Sequence, residues 1–160
     1  MDLAVILAGA GEGRRMGALG PKLLVQVAGR PALVRVAESF LSVRAVGEIV
    51  AVVPEALLSE AERALAALQN PRRVRIAATR GGASRQESVR LGLAMLTANL
   101  PYVAVHDVAR VFIRPALIER VLEAARTVGA AIPTLPIAES VKEVLGGWVV
   151  RSIPRDHLEG

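Results

Sequence analysis

Residues 7–17 read Leu-Ala-Gly-Ala-Gly-Glu-Gly-Arg-Arg-Met-Gly, and Gly20-Pro21-Lys22 follows shortly after. The glycines at 9, 11 and 13 leave backbone N–H groups uncovered by side chains, so an anion can approach them closely. Arg14, Arg15 and Lys22 bring fixed positive charge to the same loop. Open amides beside three cations suit the triphosphate of a nucleotide. The Gly-Lys-Ser/Thr ending of a Walker loop is missing, and so is the acid that a dinucleotide site places after its second strand. The bland alternative is a connecting loop with solvated arginines, which fits the glycines alone better than it fits them joined to Arg-Arg-Met-Gly and Pro-Lys. Farther along, Asp107 closes an apolar run and is a hard oxygen donor of the kind Mg²⁺ takes. Its plain alternative is an aspartate capping the next turn. Arg110 adds a phosphate-facing fork in the same loop, and His106 reads as a loop-orienting histidine in preference to a general base.

These residues need a scaffold, and the pattern supplies one. Leu3 to Ala8 is an unbroken aliphatic run ending in Gly9, as expected of a strand buried on both faces. Pro31 opens a helix running to Phe40. Glu48 to Val53 is a second short strand, stopped by Pro54. Ser59 and Glu62 have capping-box spacing at the head of a helix to Leu68. Val74 to Thr79 is a third strand. Ser84 caps a helix whose pattern over Ser88 to Leu96 puts Val89, Leu93 and Leu96 on one face. Tyr102 to Val105 is a strand ending at His106-Asp107. Pro115 opens a helix to Ala125, and Ala130 to Leu135 is a fifth strand. Alternating strands and helices predict right-handed crossovers and a mostly parallel sheet, a Rossmann-like three-layer αβα sandwich. Ligands bind beyond the carboxyl ends of such strands. Those ends carry residues 9–15, 79–88 and 106–110, the stretches richest in glycine and polar side chains. After the last core strand, Val141-Lys-Glu-Val, Gly146-Gly147 and Trp148-Val-Val-Arg predict a projecting hairpin arm over about 137–155.

Composition narrows the function classes. The chain has 160 residues, of which 52% are hydrophobic and 22% charged, so one folded domain over 1–160 is expected. Cysteine is absent, which removes disulfides, thiolate metal sites and cysteine nucleophiles. No apolar run is long enough to span a membrane and no signal-peptide pattern opens the chain, so a cytoplasmic setting is expected. The net charge of +5 invites a nucleic-acid reading. Aromatics at 2% offer no stacking platform, however, and the arginines are dispersed, so no nucleic-acid partner is expected.

The loop Ala-Gly-x-Gly-x-Arg-Met-Gly with Pro-Lys resembles that of nucleotidyltransferases that activate sugars and polyols. Gly81-Gly-Ala-Ser-Arg-Gln-Glu-Ser-Val-Arg-Leu-Gly-Leu and Val105-His-Asp-Val-Ala-Arg narrow the likeness, as does Ala131-Ile-Pro-Thr-Leu-Pro-Ile-Ala-Glu-Ser-Val-Lys-Glu-Val. Together they are similar to motifs of the 2-C-methyl-D-erythritol 4-phosphate cytidylyltransferase family, of non-mevalonate isoprenoid synthesis. The resemblance implies Mg²⁺-dependent transfer of CMP from CTP to that polyol phosphate, with pyrophosphate released. It implies that Arg15 and Lys22 stabilise charge building on the α-phosphate, and that Gly82 and Ser88 contact cytidine. Gly9 and Ala10 would let the base lie against the loop, beside the phosphate-facing Gly11 and Gly13. Asp107 would serve the metal and polyol phosphate region with Arg110. Ser140 and Arg155 would hold the polyol phosphate from the arm, so the resemblance also implies a homodimer formed through that arm.

Several positions depart from the family pattern. Val108 and Val111 stand where Ala and Pro are usual, Ala8 and Gly9 where Pro-Ala is common, and Ala83 where an acid often follows the glycine pair. Val108 is therefore expected to add bulk beside Asp107. The family pattern also continues past Gly160 with a further core strand and helix. Other readings of the same loop are transfer to another sugar phosphate or to molybdopterin, and a nucleotide-binding homologue without chemistry. Arg85 reads equally as a structural residue or a rim contact.

Overall fold

The structure, a computed structural model, describes residues 1–11 and 22–160, with only the backbone of Lys22. In chain order the elements are β1 (Leu3–Ala8), a 3₁₀ turn (Lys22–Leu24), β2 (Gln26–Val27), β3 (Arg30–Pro31), α1 (Ala32–Leu41) and β4 (Val46–Val53). A second 3₁₀ turn (Glu55–Leu57) leads into α2 (Leu58–Ala66), β5 (Arg75–Arg80), α3 (Arg85–Ala94) and β6 (Tyr102–Asp107). Then come α4 (Pro115–Val128), β7 (Val141–Leu145) and β8 (Trp148–Ile153). The chain falls into two compact units, Met1–Arg120 and Val121–Gly160.

In the first unit β1, β4, β5 and β6 form one parallel sheet in the order β5-β4-β1-β6. The central strands β1 and β4 are almost wholly buried, as their aliphatic runs require. Helices cover both faces. A Cβ on Gly92 of α3 would stand 2.8 Å from Val52 Cγ2 and 2.9 Å from Ile6 Cγ2, so α3 lies directly on the sheet. Phe40 of α1 meets the ring of His106, which is in register with Leu7. Ile6 and Leu7 are consecutive and point to opposite faces, so α1 and α3 sandwich the sheet. This is the α/β layering the alternating pattern predicts.

Three expectations are corrected. The face of α3 turned to the sheet carries Ser88 and Gly92, while Leu93 is exposed. Small residues let the helix approach closely, and an apolar periodicity does not register that. Ser59 lies inside α2, which Leu57 precedes with no side-chain cap, because the turn after Pro54 begins the helical path earlier. Residues 130–135 do not form a strand. Leu135 exchanges backbone hydrogen bonds only with Gly160, at 3.0 and 2.9 Å, and Ile132 and Leu135 are exposed. Pro133 and Pro136 have no N–H to donate to a ladder. The hairpin forms as expected: β7 and β8 pair antiparallel, turning through Gly146 and Gly147 at φ +57° and +86°. A short hairpin of β2 and β3, turning at Ala28 and Gly29, precedes α1 without an expectation from sequence.

The amino end of the sheet is tied by buried charge. Glu48, fully buried in β4, accepts from the amides of Thr97 (3.1 Å) and Ala98 (2.8 Å), from the Thr97 hydroxyl (3.1 Å) and from the Arg75 guanidinium. Burial by itself would raise its pKa, but these donors outweigh burial and hold the carboxyl below its ordinary value. Nearby, the Arg72 guanidinium donates to the carbonyls of Leu41, Val43, Arg44 and Val46, closing the turn between α1 and β4. Because the folded-state pKa of Glu48 is depressed, its stabilisation is complete above the unfolded value of about 4.3 and is lost as pH falls through the lower folded value. Glu48→Gln should lower stability by about 2 kcal/mol at pH 7. The gap between variant and wild type should close below about pH 4, as read by urea unfolding across pH.

Candidate active site

The carboxyl ends of β1, β4, β5 and β6 are stitched together by the backbone. Gly9 N donates to Val52 O at 2.7 Å, Gly81 N to Val53 O at 2.8 Å, and Val108 N to Ala8 O at 3.0 Å. Each loop thus leaves its strand already fixed to a neighbour. The loop after β5 also presses on the loop after β1: a Cβ on Gly81 would stand 2.1 Å from Ala10 Cβ and 3.0 Å from Ser88 Oγ. Only glycine fits there. Gly9 meets the loop after β6 in the same way, with its missing Cβ position 3.2 Å from both Val108 Cγ2 and Val52 O.

The turn into α3 is held by its own side chains. Ser84 Oγ accepts from Glu87 N at 3.1 Å, and Glu87 Oε2 accepts from Ala83 N at 2.9 Å. Ser88, buried at the sheet face of α3, accepts from Gly82 N at 3.1 Å. A Cβ on Gly82 would meet Glu87 Cγ at 2.3 Å, so a side chain there would push Glu87 off the Ala83 amide. The result is a shelf of small residues, Gly9, Ala10, Gly81 and Gly82, in which the Gly9, Gly81 and Gly82 amides are already committed to Val52 O, Val53 O and Ser88 Oγ. With no side chains standing over it, such a shelf can take a flat ring against its backbone.

The loop after β6 supplies charge. Asp107 Oδ1 accepts from Arg85, at 3.1 Å from Nη2 and 3.4 Å from Nε, and Oδ2 lies 3.7 Å from Arg110 Nε. Arg110 N donates to Asp107 O at 2.9 Å, and His106 Nε2 lies 3.1 Å from Arg110 O. A carbonyl can only accept, so Nε2 carries the proton. Burial lowers the His106 pKa and the positive Arg110 adds to that, against smaller opposing effects of the Arg110 carbonyl and Asp107. A neutral ring packed edge-on to Phe40, its centroid 5.3 Å away, braces the loop as the sequence reading expects. Val108 is buried, with Cγ2 turned toward the space that Gly9 leaves empty.

Gly9, Ala10, Gly82, Ser88, Asp107 and Arg110 therefore gather at one edge of the sheet, and Gly11, exposed with open space about it, follows Ala10. Gly13 and Arg15 lie outside the described residues, and Lys22 opens the 3₁₀ turn before β2. In the second unit Ser140 and Arg155 are both exposed at the foot of the arm, where Arg155 donates to the Ala138 carbonyl. Sequence reasoning missed the grip of Arg85 on Asp107, since nothing local marks a partner 22 residues away. It also missed Glu87, whose spacing from Ser84 did carry the capping signal.

The family model for IspD, 2-C-methyl-D-erythritol 4-phosphate cytidylyltransferase, matches residues 3–160. The chain belongs to this family. It is 38% identical over 160 residues to a bifunctional enzyme IspD/IspF of Clavibacter michiganensis, covering 99% of this chain and 39% of that protein. It is 37% identical over 142 residues to a 2-C-methyl-D-erythritol 4-phosphate cytidylyltransferase of Streptomyces avermitilis, covering 88% of this chain and 57% of that one. The crystal structure of the Thermus thermophilus 2-C-methyl-D-erythritol 4-phosphate cytidylyltransferase superposes with a TM-score of 0.71 at 33% identity, over 99% of this chain and 66% of that one. An Anaerococcus prevotii 4-diphosphocytidyl-2C-methyl-D-erythritol synthase shares the fold at a TM-score of 0.80 and 21% identity, over 99% and 67%. The chain thus spans well under two thirds of the length of these sequence relatives.

Ser88→Ala would leave the Gly82 amide without its side-chain partner. The loss should be about 1 kcal/mol, or roughly 2–4 °C in Tm by calorimetry.

Proposed function

We propose that this chain carries out cytidylyl transfer from CTP to 2-C-methyl-D-erythritol 4-phosphate. An oxygen of the polyol phosphate attacks the α-phosphorus of CTP, the bond from that phosphorus to the bridging oxygen of the β-phosphate breaks, and pyrophosphate leaves. The observation that carries the reading is the contact of the Gly81–Gly82 shelf with Ala10 beside Asp107, in a chain of this family. Such displacement requires little covalent help, so placed cations and oriented amides supply most of the acceleration.

The residues divide the work as follows. Gly9, Ala10, Gly82 and Ser88 seat the cytosine, while Gly11 and Gly13 offer amides to the triphosphate. Arg15 and Lys22 stabilise charge on the α-phosphate as it is attacked. Arg110 faces phosphate, and Ser140 and Arg155 hold the polyol phosphate. The exposed apolar side chains of the arm, Val144, Leu145, Trp148, Val149 and Val150, suit a second copy of this chain, which would bring that copy's arm to the site. A cytoplasmic setting, where CTP is available, belongs to the same reading.

Mg²⁺ fits the donor set in one particular way. No group of three or more His, Cys, Asp or Glu side chains gathers among the described residues, so Asp107 would be a single carboxylate for an ion held largely by substrate phosphates. When bound there, the ion would neutralise triphosphate charge.

Pyrophosphate release from each of the four nucleoside triphosphates, with and without the polyol phosphate, tests the assignment. Release from CTP alone among the four, and only with the acceptor present, is expected; a preference for another base or acceptor would refute it. Lys22→Ala should reduce turnover by about 10²–10³-fold while changing the calorimetric Kd for CTP little, and unchanged turnover would remove Lys22 from the chemistry.

A further inference from the structure

We infer that Arg85 is a positioning residue that aims the Asp107 carboxylate and locks it to the loop that seats the base. The inference rests on the cytidylyl-transfer reading and goes beyond it, because there Arg85 had no role.

Arg85 is the first residue of α3. The amino end of a helix carries partial positive charge, so a cation at this position works against the helix and an acid or small polar residue would suit it better. The terminal amides are already served by Ser84 and Glu87. The helix therefore has no use for this guanidinium. Nor does stability: the side chain is 66% exposed, and an ion pair in such solvent contributes little.

What the guanidinium does is geometric. Two of its N–H groups, Nε and Nη2, converge on the single oxygen Oδ1 of Asp107. The backbone of Asp107 is already fixed by the ladder to Ala8 and by the bonds that brace Arg110. Only the two side-chain torsions of Asp107 remain open, and a two-pronged donor removes that freedom. Oδ2 is left toward Arg110, 3.7 Å away. Arg85 also lies one helical turn from Ser88, whose hydroxyl holds Gly82. The shelf beneath the base and the side chain that sets Asp107 thus move as one piece.

The test compares Arg85→Gln, Arg85→Lys, Asp107→Asn and the Arg85→Gln/Asp107→Asn double variant. Arg85→Gln should leave Tm unchanged or slightly raised and the CTP Kd within about twofold, while kcat/KM for the polyol phosphate falls by about tenfold or more. Arg85→Lys, which keeps the charge but not the paired N–H groups, should recover part of the loss. The double variant should be no slower than Asp107→Asn alone, because both changes remove one interaction. Full activity of Arg85→Gln would overturn the inference, as would a large drop in Tm, which would make Arg85 structural. A weakened CTP Kd with unchanged acceptor kinetics would also overturn it by making Arg85 a nucleotide contact. A wild-type chain that neither binds CTP nor releases pyrophosphate would sink the cytidylyl-transfer reading itself, and the positioning role with it.

Discussion

Central strands buried on both faces leave polar groups only the two ends of the sheet, and this constraint arranges the first unit. β1 and β4 place aliphatic side chains above and below, so no catalytic group can sit along them. The charged groups Glu48 and Arg75 sit at the amino end of their strands, and Asp107 at the carboxyl end of β6. The ends differ in kind. At the amino end, Glu48 and Arg72 are consumed by backbone groups and by Arg75, joining segments far apart in sequence. At the carboxyl end, the loops meet through glycine and small residues, and the Asp107 carboxylate stays partly exposed between Arg85 and Arg110.

This division shows how the described loops at the carboxyl end are anchored. The loops after β1, β5 and β6 each begin with a backbone hydrogen bond to the adjacent strand. The close contacts at Gly81 and Gly92 then fix α3 in height above the sheet. Buried charge at the far end ties the strands together without intruding on the carboxyl end. Stability and chemistry are separated by the length of a strand.

The sequence disclosed those features that each residue's near neighbours decide. The aliphatic runs at Leu3–Ala8 and Tyr102–Val105, the Pro-led helices, the Ser84 cap and the Gly146-Gly147 turn are all local, and the structure contains each. The close meeting of the Gly81 and Ala10 loops follows from residue types that are unusual together. Features that depend on a distant partner were not legible. Residues 130–135 have strand composition, but a strand exists only when something pairs with it. Glu48 looked like the first residue of a strand, and its partners Thr97 and Ala98 come some 50 residues later. The packing of α3 ran against its apolar pattern because close approach rewards the absence of side chains. Arg85 carried no local mark, since its meaning lies in Asp107.

The meeting of Gly9 and Val108 bears on how such chains can be recombined. Val108 fills volume that a side chain at position 9 would otherwise claim, so the two positions share one space although they belong to different loops. A chimera that takes the β1 loop from a relative with alanine at 9 and keeps this β6 loop would crowd Val108 and the Val52 carbonyl at once. Exchanges between members of the family should therefore carry both segments together, with the crossover placed in the surface turns that neither segment touches.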